Sequence, residues 1–82
     1  MDYDTKLDEL LALIRDTNDI RARSQLFKMY QSCRKIYTKL SQEEVECRRQ
    51  HKITQKYTEL EKELDQCIIT FEQWVTMSKL MY

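Results

Sequence analysis

Apolar side chains recur along this chain at helical spacing, and three stretches of that pattern can be separated. In residues 3 to 17, Tyr3, Leu7, Leu10, Leu11 and Ile14 fall at steps of three and four, the stripe of an amphipathic helix. The spacing predicts a first helix over about 4–17, capped by Asp4 or Thr5, with acids in the first turn where the helix dipole favours them. Asp16-Thr17-Asn18-Asp19 follows, four residues whose side chains compete with helix through local hydrogen bonds. A turn is expected there, with Asn18 taking the left-handed conformation that glycine would otherwise supply.

From Ile20 a second stripe runs through Ala22, Leu26, Met29, Cys33, Ile36 and Leu40 at steps of 4, 3, 4, 3 and 4, an unbroken heptad seam widened by Phe27, Tyr30 and Tyr37. Leu40-Ser41-Gln42-Glu43-Glu44-Val45 then carries a start signal. Ser41 and Glu44 have the spacing of a capping box, and Leu40 and Val45 that of a hydrophobic staple. The expected second helix therefore spans about 20–40 and a third about 42–81, although no glycine or proline prevents one helix from running from about 20 to 80.

The third stripe is the longest: Ile53, Tyr57, Leu60, Leu64, Cys67, Phe71, Trp74, Ser78 and Met81. Its early part is polar even at inward positions (Glu46, Arg49, Gln50), so no apolar core is expected there. A helix over 42–81 would be about 60 Å long at 1.5 Å per residue, about twice the second helix. One end of it would outrun the rest of the chain.

Composition supports an all-α reading. The 82 residues contain no glycine and no proline, which disfavours hairpin-rich and barrel folds. The fold expected is a helical hairpin or irregular three-helix bundle with coiled-coil-like seams and a long C-terminal helix, in a single domain, 1–82. A chain of this size has a stability of about 4 to 12 kcal/mol.

Fourteen basic and fourteen acidic residues cancel, so net charge gives no reason to expect nucleic acid or an anionic membrane. Their distribution is uneven: residues 1–19 carry six acids and two bases, and residues 20–40 carry six bases and no acid. Arg21, Lys28, Lys35 and Lys39 fall away from the second seam and form a basic ridge, the candidate phosphate contacts of a nucleic-acid-binding alternative. Acidic segments on either side are expected to neutralise it.

Candidate chemistry is sparse. Cys47 and His51 have i, i+4 spacing, but zinc wants four ligands and nothing nearby supplies a second pair, so a half-exposed thiol beside a surface histidine is expected. Cys33 and Cys67 read as small core residues. One histidine, no glycine-rich loop, and carboxylates at Glu59, Glu61, Glu63 and Asp65 that alternate with Leu60, Lys62 and Leu64 argue against an enzyme. No cofactor, metal or small-molecule substrate is expected. Three cysteines without a signal-peptide pattern point to a reducing, cytoplasmic location, and no apolar run reaches the ~18 to 20 residues of a membrane span.

The closing stretch CIITFEQWVTMSKLMY holds ten apolar residues in sixteen, more than one helix face can hide. Its cover could be the first helix, a second copy of the chain, or a different protein. The length mismatch among the expected helices favours an intermolecular cover. The function expected is therefore a non-enzymatic protein–protein interaction module: a small subunit, adaptor or chaperone-like partner, homo- or hetero-oligomeric. Its docking residues would be Ile68, Ile69, Phe71, Trp74, Val75, Met77, Leu80, Met81 and Tyr82.

Overall fold

A computed structural model describes the backbone of residues 3–81 and the side chains of residues 3–77. It contains three helices, α1 (Tyr3–Arg15), α2 (Ile20–Gln50) and α3 (Gln55–Met81), and no strand among the described residues. The all-α three-helix arrangement is as the periodicity implies. Helix lengths are not. α2 has 31 residues, α3 27 and α1 13, so the longest helix is the second and the two long helices nearly match.

The expected break at Ser41 does not occur, and α2 runs through it. The reason lies in the seam. Cys33, Leu40 and Cys47 recur every seven residues, all are buried, and a break at Ser41 would take Cys47 out of register. A capping box is only an option when no proline or glycine obliges the chain to use it.

The chain reverses instead at residues 51–54, after the polar run from Glu46 to Lys52. His51 adopts φ 56° and ψ 35°, the left-handed conformation, and is the one non-glycine residue with positive φ among those described. Its N–H donates to Arg48 O at 3.3 Å and the N–H of Lys52 to Cys47 O at 3.1 Å, the paired bonds of a Schellman motif. Thr54 opens α3, its hydroxyl oxygen accepting from the Tyr57 N–H at 3.2 Å. The same hydroxyl donates to Glu43 Oε1 at 2.7 Å, tying the new helix to the old one.

The α1–α2 connection falls at the expected residues by a different route. Asp19 sits in extended backbone (φ −81°, ψ 120°) and caps α2 by accepting from the Arg21 N–H at 3.1 Å. Asn18 does not take the left-handed conformation expected of it. α1 itself begins at Tyr3, just before the caps proposed for it.

α2 and α3 form an antiparallel hairpin, fixed by Cys33 against Cys67, Glu43 beside Lys56, and Cys47 against Thr54. α1 lies along one half of it, parallel to α3. Tyr3 meets Asp65 and Lys6 meets Glu72 on α3, while Asp4 faces Arg34 on α2. Leu7, Leu10 and Ile14 of α1 close over Leu26, Cys33 and Leu40 of α2 and Leu60, Leu64, Ile68, Phe71 and Val75 of α3. The rod measures 49 × 18 × 17 Å, a three-helix bundle at one end and a two-helix hairpin at the other.

Candidate docking surfaces

α3 touches two helices, and this resets its inward face. Cys67 lies on the flank nearer α2, with Trp74 one heptad further along the same face, whereas Asp65 and Glu72 contact α1. The inward direction bisects the two, so the buried line is Leu60, Leu64, Ile68, Phe71 and Val75. The expected line through Cys67 and Trp74 is displaced by one residue, and both of those side chains are half-buried. Ile53, expected to begin the seam, is 69% exposed in the turn.

That geometry redistributes the proposed docking residues. Ile68, Phe71 and Val75 are buried by α1 and α2 within the same chain. Ile69 and Met77 are exposed, eight residues apart on the outer face of α3, with Glu72, Gln73 and Thr76 around a shallow depression between them. The side chains of Leu80 and Met81, and Tyr82 as a whole, lie outside the described residues. The remaining exposed large apolar side chains, Ile20, Phe27, Val45 and Ile53, are dispersed over α2 and the turn. Single exposed apolar residues are ordinary on a protein surface.

A further concavity lies beside the first described turn of α1. A cleft of about 410 Å³ is lined by Tyr3, Tyr37, Leu40, Ser41, Glu44, Tyr57, Glu61 and Asp65. Each helix contributes for a local reason. Tyr3 stands in the first turn of α1 and donates its hydroxyl to Asp65 Oδ1 at 2.7 Å. Its ring meets that of Tyr37 edge-on, with centroids 6.3 Å apart at 63°. Arg34 holds its guanidinium 5.8 Å from the Tyr37 ring centroid, which fixes that ring from the side of α2.

Carboxylates dominate the cleft's electrostatics. Glu44, Glu61 and Asp65 supply its three charged side chains, all acidic, and Arg48 reaches Glu44 at 2.7 Å along the same helix. Burial and the carboxylate of Asp65 push the Tyr3 hydroxyl well above its usual range. Burial, then Glu61 and Glu44, push Tyr57 up as well. Both phenols stay protonated near neutrality and can act as hydrogen-bond donors, while the carboxylates keep the cleft negative.

The ridge residues Arg21, Lys28, Lys35 and Lys39 are all exposed on α2. The acidic helices are tied in through other bases: Asp4 to Arg34, Glu72 and Glu9 to Lys6, and Glu43 to Lys56. Cys47 is buried, not half-exposed as its sequence context implied. It accepts from the Thr54 N–H at 3.5 Å, and His51 is taken up by the turn. Among the described residues no group of three or more His, Cys, Asp or Glu is placed to hold a metal ion. No described helix is long and apolar enough to cross a membrane.

None of the cleft residues was singled out as a site from the sequence. Tyr37 reads from the sequence only as a widening of the second seam, and Glu61 and Asp65 only as solvated charge; the packing of α2 against α3 and the contacts of Tyr3 bring them together. No family model matches the chain, and neither a curated protein nor a solved structure does.

Proposed function

We propose that this chain is a non-enzymatic protein-interaction module that docks a basic, amphipathic helix of another protein along the uncovered half of the α2–α3 hairpin. The observation that carries the reading is the cleft beside the first described turn of α1, lined by all three helices. Its floor offers Tyr37, Leu40 and Tyr57, and tyrosines are enriched among the residues that dominate binding energy. Its rim offers Glu44, Glu61 and Asp65, which favour lysine or arginine on the incoming helix and disfavour an acidic one.

The C-terminal apolar face is a weaker candidate than the sequence suggested. Phe71 is used inside the bundle, and the exposed pair Ile69 and Met77 is separated by polar residues. The basic ridge keeps a nucleic-acid alternative open in principle, but four exposed charges on one helix of an electroneutral chain favour it less than a formed cleft does.

Site-specific photo-cross-linking in the source cell tests the proposal. A benzophenone amino acid at Tyr57 should give a discrete protein adduct that Glu44→Lys with Glu61→Lys abolishes, while the same probe at Lys62 gives none. Adducts unaffected by the charge reversals, or equal at both positions, would count against the cleft.

A further inference from the structure

Two of the three cysteines meet across the α2–α3 interface. Cys33 Sγ donates to Cys67 Sγ at 2.7 Å, although the two residues are 34 positions apart in sequence. That separation is well inside the contact distance of two unbonded sulfurs and only modestly beyond the ~2.05 Å of a disulfide bond. Both are free thiols here. The third, Cys47, lies two heptads along α2 from Cys33, about 21 Å at 1.5 Å per residue, and packs against Thr54 instead.

We propose that Cys33 and Cys67 are a covalent modification site, a thiol pair that closes into an intramolecular disulfide by exchange with a small-molecule disulfide such as glutathione disulfide. The two members have different roles, set by their burial. Cys67 is half-buried and reachable from solvent, so its thiolate attacks first: its Sγ bonds to one glutathione sulfur, the glutathione S–S bond breaks, and one glutathione leaves as thiolate. Cys33 is fully buried, and burial together with its bond to Cys67 pushes its thiol up to about 12, which keeps it from reacting with reagents in solution. It acts only once Cys67 carries the mixed disulfide. Cys33 Sγ then gives up its proton, attacks Cys67 Sγ and displaces the second glutathione. Two protein thiols are oxidised, one glutathione disulfide is reduced to two thiols, and the protein's two thiol protons pass to the released glutathiones.

The consequence is a covalent tie between the two long helices at the half of the rod that α1 covers. The bond closes a long loop that includes the 51–54 turn, so it restricts the unfolded chain far more than the folded one. This inference is independent of the docking cleft, because neither thiol lines it.

The test is the intact mass of the full chain after equilibration with glutathione disulfide, followed by alkylation and peptide mapping. Expected are loss of two hydrogens, a peptide linking Cys33 to Cys67, and a rise in melting temperature on the order of 10 °C. Cys33→Ser should instead stop at the mixed disulfide, adding one glutathione at Cys67. A wild-type chain that keeps both thiols, stalls with glutathione on Cys67, or links either cysteine to Cys47 or to another chain would overturn the proposal. The wild-type readout does not depend on any variant folding.

Discussion

Single side chains at the hairpin turn and along its middle make the sharpest forecasts. Thr54 caps α3, bonds Glu43 across the turn and lies against Cys47. Thr54→Val keeps its shape and removes the hydroxyl, so it should cost about 1 to 2 kcal/mol in urea unfolding. Alkaline stability follows from Tyr3 and Cys33, whose protons are held more tightly folded than unfolded. Groups of that kind contribute fully below their unfolded values and lose the contribution as pH rises through the folded ones. Stability from these two groups should therefore be level from neutrality to about pH 9 and fall between there and about pH 12. Tyr3→Phe should flatten the part of that decline above pH 10, as read from melting temperature against pH. Neither effect was legible in the sequence. Thr54 carries no pattern until the turn at 51–54 brings Glu43 to it, and the stripe that includes Tyr3 gives no sign of Asp65 until α1 packs along α3.

At the scale of elements, the first two seams and the α1–α2 connection were legible, while the third seam is displaced by one residue and the α2–α3 turn lies ten residues beyond the expected break. Leu7, Leu10 and Ile14, and likewise Ala22, Leu26, Cys33 and Leu40, are buried as their spacing implies, because burial of an apolar stripe is what that spacing encodes. The capping box at Ser41 misled because local start signals are permissive and the heptad step from Leu40 to Cys47 is cooperative with α3. The true turn left a fainter mark: a polar run ending in His51 and Lys52, without the glycine that usually announces a left-handed residue. Ser41→Ala separates the two readings directly. In a continuous helix it should raise stability by a few tenths of a kcal/mol through helix propensity, whereas loss of an N-cap would lower it by about 1 kcal/mol. Chemical denaturation of the two proteins side by side decides it.

For the molecule as a whole, the near-equal lengths of α2 and α3 remove the main reason for expecting an intermolecular cover over the C-terminal helix. α1 supplies that cover for its inward face. Phe71 is fully buried among all three helices, so Phe71→Ala should cost about 3 to 5 kcal/mol, a large share of the stability available to a chain this short. Ile69→Asp, on the outer face, should stay within about 0.5 kcal/mol. The docking proposal concerns the other half of the rod, where the cleft sits. The monomeric reading rests on Ile68, Phe71 and Val75 being covered by helices of the same chain. Light scattering of the isolated protein over a wide concentration range tests it most directly. The mass of one chain is expected throughout; a dimer or larger species that Ile69→Asp or Met77→Asp dissociates would overturn the monomeric reading.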